Sequence, residues 1–278
     1  MLGQHPELAG LPELKLFCYS TLAELETSLP DYWRRRGVTH RSPGLLRAVA
    51  LLLFGGQTAE TLREARQWLE ARSHWPGASI LDVLLARLHP RSAVEKSPEH
   101  VLDDVTLERM AAAYPAARYV HLTRHPISTQ RSMQEYRKRL APTDPQIGEP
   151  MAGIESWYEV HRRILLFTAS LPAVRHFRVR AEDVLNQSDG TLRAIAGWLG
   201  VRTDESAIEA MKHPELSPFA DAGPPELGVA GGNDPGFLRD PVPRRVSMPD
   251  ELAPPTGWSA PTQVWTLVTE MSERLGYH

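Results

Sequence analysis

The strongest constraint on how this chain folds lies between Val94 and Met133, where one local pattern occurs twice. In each unit an apolar strand ends at a basic residue, and a helix with proline in its first turn follows. The first unit ends its strand at Lys96, with Ser97 at the N-cap and Pro98 at the first helical position, where a missing N–H costs nothing. In the second, Tyr119, Val120 and Leu122 make a short apolar run expected to be buried on both faces, Arg124 ends it, and Pro126 opens the next helix. In an open parallel sheet, ligands bind outside the carboxyl ends of the strands, where helix N-termini present free N–H groups. Lys96 and Arg124 on such rims describe an anion site. Ser132 lies eight residues beyond Arg124, about two turns into the helix, on the face pointing back toward the ligand end. An arginine and a hydroxyl could share one phosphate there.

Composition narrows the class. The 278 residues suit one large α/β domain spanning 1–278 with a substantial core. A net charge of −3 and a pI near 6.4 give no general attraction to nucleic acid or acidic membranes. One cysteine, Cys18, rules out an intrachain disulfide framework and fits a cytoplasmic location. The most apolar run, Leu45 to Phe54, carries Arg47 and falls short of the roughly 20 residues that span a bilayer, so it reads as a buried helix with no membrane span. There is no Cys pair, so no metal is expected. Only Lys15, Lys96, Lys138 and Lys212 among the 31 basic residues are lysines, and a lysine at 96 suggests that a compact point charge is wanted there.

EKSP at 95–98, the ARYVHLTRHP segment at 117–126 and the serine eight positions after its arginine resemble the 3′-phosphate-binding half of the sulfotransferases, in particular the bacterial branch related to tyrosylprotein sulfotransferases. That resemblance implies a three-layer parallel sheet with flanking helices, the P-loop nucleotide-binding-like fold. It also implies 3′-phosphoadenosine 5′-phosphosulfate (PAPS) as sulfuryl donor, held at its 3′-phosphate by Arg124 and Ser132, with Lys96 facing the oxygen that bridges phosphate and sulfate. The opening text HPELAGLPELKL is also similar to the family, where it follows a glycine-rich GxPRSGTT loop and its helix. Here that loop and the first strand do not precede it. The expectation is a start misplaced at Met1, with about thirty residues of strand, loop and helix upstream; the rival is a chain that has discarded its loop. Glu13, eight residues after His5, stands where the tyrosylprotein branch places its catalytic base, and Lys15 is expected to steady the transferring group.

Between the motifs, residues 22–90 read as a helical cap over the acceptor entrance. Leu62, Ala65 and Leu69 lie on one face of a 58–72 helix, and Ile80, Leu81, Leu84, Leu85 and Leu88 stripe the next, with Ser79 and Asp82 in a capping-box pattern. His100 reads as a local hydrogen-bonding residue in a first helical turn. After a Pro-rich break at 142–150 comes an amphipathic helix with Ile154, Trp157, Tyr158, His161, Leu165 and Thr168 on one face, then a strand through Phe177 and Val179. A helix from Thr191 to Leu199 stops at Gly200, and a short one covers Glu205 to Lys212. The Pro/Gly-rich 213–262 reads either as disorder or as a shaped loop over the nucleotide, whose Arg239, Arg244 and Arg245 reach phosphates.

Three functions follow from these residues. The first is a PAPS-dependent sulfotransferase acting on a small-molecule, lipid, glycan or peptide hydroxyl. A second is a loop-less, non-catalytic protein that binds 3′-phosphoadenosine 5′-phosphate (PAP). The third, a nucleotide kinase, needs a GKS/T loop that is not visible.

Overall fold

The structure, a computed structural model, describes residues 1–29, 40–140, 150–225, 231–248, 252–254 and 262–278. The chain forms two compact units, one of residues 1–115 and 192–243, the other of residues 116–191 and 244–278.

The first unit is built on two short parallel strands, β1 (Leu8–Gly10) and β2 (Ser92–Val94), in register from Leu8 opposite Ser92 to Gly10 opposite Val94. Leu2–Gln4, ahead of β1, is a single 3₁₀ turn. Helices α1 (Leu22–Thr27), α2 (Pro43–Phe54), α3 (Ala59–Glu70) and α4 (Gly77–Leu88) fill the connection from β1 to β2. Ser42 caps α2 through Leu45 N–H, Pro43 occupies its first turn, and Gly55 closes it at φ 80°. A capping box of Thr58 and Thr61 starts α3. The expected box at Ser79 and Asp82 does not form, because α4 already begins at Gly77 and Asp82 Oδ1 instead accepts from Tyr114 Oη at 2.8 Å. The stripes Leu62, Ala65, Leu69 and Ile80, Leu81, Leu84, Leu88 all enter one core with Leu14, Leu16, Phe17, Leu45 and Leu46. Leu85 lies at its margin. After β2 come a 3₁₀ turn, Pro98–Val101, and α5 (Asp104–Ala113).

In the second unit β3 (Tyr119–Thr123) pairs in parallel with β4 (His176–Arg180). α6 (Pro126–Leu140) and α7 (Pro150–Ala169) lie between them in the chain, and the Pro-rich break at 142–149 falls outside the described residues. β3 is not buried on both faces. His121 and Thr123 are the buried positions and Leu122 is 57% exposed, because among the described residues β4 is the only strand paired with it and alternate side chains then face opposite ways. Ile154, Trp157, His161 and Thr168 of α7 are buried as their spacing predicts. With Ile127, Val268 and Met271 of the closing helix, and Leu275 and Tyr277 just beyond it, Ile154 and Trp157 make the core of this unit. α8 (Ala181–Asn186) follows β4 directly.

α9 spans Ser188–Leu199, three residues longer at its start than expected, and ends at Gly200 with φ 72°. α10 covers Glu205–Met211. In the described part of 213–262 the chain is shaped: it makes a 3₁₀ turn at Pro214–Leu216 and the short α11 (Pro235–Arg239), and Phe219 is buried in the core of the first unit. The last helix is α12, Thr262–Arg274.

Candidate active site

Where β1 and β2 end side by side, Lys96 and Glu13 meet. Lys96 Nζ donates to Glu13 Oε1 at 2.7 Å across 83 residues of sequence. Both leave parallel strands at the same edge: Val94 closes β2 two residues before Lys96, and Gly10 closes β1 three residues before Glu13. The lysine side chain is 62% exposed and the glutamate 17%. An ammonium carries three N–H groups and one is used on Glu13, so this donor has capacity for an anionic oxygen from solvent or ligand.

The backbone around Glu13 is held on every side. Its N–H donates to Gly232 O at 2.9 Å, and its carbonyl accepts from Ser42 Oγ at 2.8 Å. The next two amides turn toward EKSP: Leu14 N–H donates to Glu95 Oε1 at 3.1 Å and Lys15 N–H to Ser97 Oγ at 2.9 Å, while Ser97 Oγ donates on to Glu95 Oε1. The expected N-cap bond of Ser97 is therefore absent; its hydroxyl is spent on the Lys15 backbone and on Glu95. Lys15 itself sits at φ 58°. That left-handed conformation costs a residue with a Cβ on the order of 1 kcal/mol, which these hydrogen bonds offset. Gly44 at the start of α2 permits the close approach, since a Cβ there would lie 2.4 Å from Glu13 O.

Behind the pair sits a second charged cluster. Lys15 Nζ and Arg41 Nη2 reach the two oxygens of Glu99 at 2.8 and 2.7 Å. Burial opposes ionisation of Glu99, but the two cations outweigh it and hold its carboxyl below the usual range. Lys15 thus faces Glu99 rather than Glu13. His100 is buried with Nδ1 3.5 Å from Glu95 Oε2 and its ring edge-on to Phe17, which fits a local role. Burial, opposed by the nearby Glu95 and Glu99 carboxylates, keeps its imidazole pKa below the ordinary value. Glu95 and Ser97 were visible within EKSP as residues but not as supports; Arg41 and Gly232 carried no local signal at all.

The second strand edge belongs to the other unit and is built differently. Arg124 follows β3 and is exposed, and Ser132 on α6 is exposed too. The main chain beneath Arg124 is pinned: its carbonyl accepts from Trp157 Nε1 at 2.9 Å, and His125 N–H donates to Glu182 Oε1 at 2.9 Å. Glu182 is buried and takes a second bond from Tyr277 Oη at 3.0 Å, which also lies 3.0 Å from Thr123 Oγ1. Burial, reinforced by Glu182, pushes the Tyr277 phenol well above its ordinary pKa, so it remains a donor. The partners of Glu182 lie 57 and 95 residues away in the chain, so no local pattern marks this support. Arg239 closes α11 in the first unit, whereas Arg244 belongs to the second, and both are exposed. Lys96 and Glu13 thus meet in the first unit, whereas Arg124 and Ser132 both belong to the second. Exposed cations and a hydroxyl are a donor set whose chemistry suits a phosphate- and sulfate-bearing ligand.

No curated protein matches the chain. The structure is similar to a sulfotransferase domain from the curacin biosynthetic pathway, at 18% identity over all of this chain and 91% of that one, with a TM-score of 0.71. It is also similar to a sulfotransferase domain from the olefin synthase of Synechococcus PCC 7002, at 25% identity over all of this chain and 88% of that one, with a TM-score of 0.66. Both share its mixed α/β fold with parallel strands. A sequence model described as the sulfotransferase family matches residues 1–205, which include β1 to β4, Glu13, Lys96, Arg124 and Ser132, and the chain belongs to that family.

Proposed function

We propose that the protein transfers a sulfuryl group from PAPS to a hydroxyl of an acceptor. The meeting of Glu13 and Lys96 at the shared end of β1 and β2 carries this reading, because it puts a carboxylate and an ammonium within one hydrogen bond of each other. When bound, PAPS supplies an activated sulfuryl group and a leaving phosphate oxygen that gains negative charge. Lys96 donates to that oxygen, and Glu13 takes the proton of the acceptor hydroxyl. The ion pair seen here holds both side chains in place, and moving the lysine onto the donor frees Glu13 Oε1 to act as base.

Arg124 and Ser132 hold the 3′-phosphate, the arginine by paired charge-assisted hydrogen bonds, and Arg239 and Arg244 add positive charge for the remaining phosphate. Residues 22–90 set the choice of acceptor, which is a small-molecule, lipid, glycan or peptide hydroxyl. Calorimetric titration with PAP tests the donor side without knowledge of the acceptor. The expected Kd is below about 100 µM, weakened about tenfold or more in Arg124→Ala. No binding of PAP at millimolar concentration sinks the proposal.

A further inference from the structure

Arg47 lies in the most apolar helix of the chain and is completely buried. An arginine in such a place keeps its charge only if its donors are met. Five hydrogen bonds meet them: Nε donates to Gln57 Oε1 at 2.5 Å, Nη1 to Asp221 O at 2.8 Å and to Gly231 O at 2.7 Å, and Nη2 to Asp221 Oδ1 at 2.6 Å and to Pro218 O at 3.3 Å. Four of the five go to residues more than 170 positions away, in the segment that carries Pro218, Asp221 and Gly231. Phe219 of the same segment lies with its ring centroid 5.5 Å from the guanidinium carbon. Burial lowers the pKa of the guanidinium and Asp221 opposes that effect.

The residue after Gly231 is the one that accepts the Glu13 N–H. Gly232 has φ 83° and passes so close to α2 that a Cβ on it would lie 2.4 Å from Gly44 Cα, while a Cβ on Gly44 would itself meet Glu13 O. Arg47, Gly231–Gly232, Gly44 and Glu13 are therefore stacked without slack, and one guanidinium fixes the segment that forms one wall around Glu13. We propose that Arg47 is a positioning residue for Glu13, acting through the carbonyl of Gly232. The part of the proposal that concerns catalysis rests on the reading of Glu13 as the base.

Three neighbouring amides allow the test to separate coupling from general loosening. Glu13 N–H is held from the Arg47 side, by Gly232, whereas Leu14 and Lys15 N–H are held from the EKSP side, by Glu95 and Ser97. Residue-resolved hydrogen exchange is measured on the full chain in Arg47→Lys, which keeps a charge but has too few donors, and in Asp221→Ala, whose side chain is 80% exposed and whose loss leaves the core intact. The expected result is exchange at Glu13 faster by about tenfold or more, with Leu14 and Lys15 changed by less than about threefold. Equal acceleration at all three amides, or none at Glu13, overturns the coupling. With PAPS and an acceptor, Arg47→Lys and Asp221→Ala lower kcat and leave KM for PAPS within about twofold, since the donor contacts are untouched. Selective exchange at Glu13 with unchanged kcat overturns the positioning role. If the wild-type chain transfers no sulfate, the exchange result still decides the coupling and only the chemical reading of Glu13 falls.

Discussion

Lys96 and Arg124 end strands of the same local design, a short parallel strand followed by a helical turn headed by proline, yet their surroundings differ. Around Lys96 the neighbouring chain is cross-tied: a carboxylate takes its charge at 2.7 Å, and the peptides of Glu13, Leu14 and Lys15 are bonded to Gly232, Glu95 and Ser97. Around Arg124 the ties stop at the main chain, through Trp157 and Glu182, and the residue itself is exposed. A paired cation on a fixed frame suits a group that must meet charge developing at one atom. A cation presented to solvent from a pinned backbone suits a ligand that arrives already charged. The same sequence pattern is thus given two different surroundings by what packs beside it.

The largest test of this contrast is the pair Lys96→Ala and Arg124→Ala. Loss of a donor aimed at developing charge costs about 3 to 4 kcal/mol, so Lys96→Ala should lower kcat by on the order of a hundredfold or more while PAP still binds. Arg124→Ala should instead raise KM for PAPS by about tenfold or more and leave kcat within a few-fold. Steady-state kinetics with PAPS varied at fixed acceptor decides it. A loss of less than about tenfold for Lys96→Ala removes it from the transfer step.

Acid should separate the two units next. In the second, His121 Nε2 and His161 Nδ1 lie 2.8 Å apart in the interior, and burial pulls their pKa values down to about 3 and about 4, with His161, Arg178 and His176 adding to the effect on His121. Unfolded imidazoles take up protons near pH 6.5, whereas these stay neutral until the lower values. The unfolded state therefore binds more protons between these limits, and stability present above about pH 6.5 is lost as pH falls toward 4, by on the order of a few kcal/mol. His40 in the first unit is held down to about 4 by burial, reinforced by Arg66, and the buried His100 is lowered too but against the opposing Glu95 and Glu99 carboxylates, so that unit loses stability over the same range without a paired set of rings. Exchange measured by unit between pH 7 and pH 4 should show protection falling first in residues 116–191. The double variant His121→Phe with His161→Leu should flatten that fall, and an unchanged slope would refute the assignment.

The smallest effect sharpens the contrast between the supports. Ser97→Ala removes the acceptor of Lys15 N–H and should lower kcat by about fivefold, from about 1 kcal/mol of lost hydrogen bonding. Ser132→Ala should raise KM for PAPS by a similar factor and spare kcat. Equal effects of the two serines on the same parameter would erase the difference between the strand ends.

Much of this protein was legible in its sequence. The stripes Leu62–Ala65–Leu69 and Ile80–Leu81–Leu84–Leu88, the stop at Gly200 and both proline-headed turns follow from local periodicity and backbone restriction, which depend on residues a few positions apart. The motif residues around Lys96 and Arg124 identified the family for the same reason, since each motif is contiguous. Other features depend on residues far apart in the chain. Tertiary structure alone brought Glu13 to Lys96 across 83 residues, turned the Ser97 hydroxyl from a cap into a support, exposed Leu122 on a strand that pairs with only β4 among the described residues, and joined Arg47 to Gly231 across 184 residues. Each is a question of which donor or apolar face finds a partner once the chain has closed. A local pattern specifies the element and its end, while the partner of a buried charge is chosen by the whole fold.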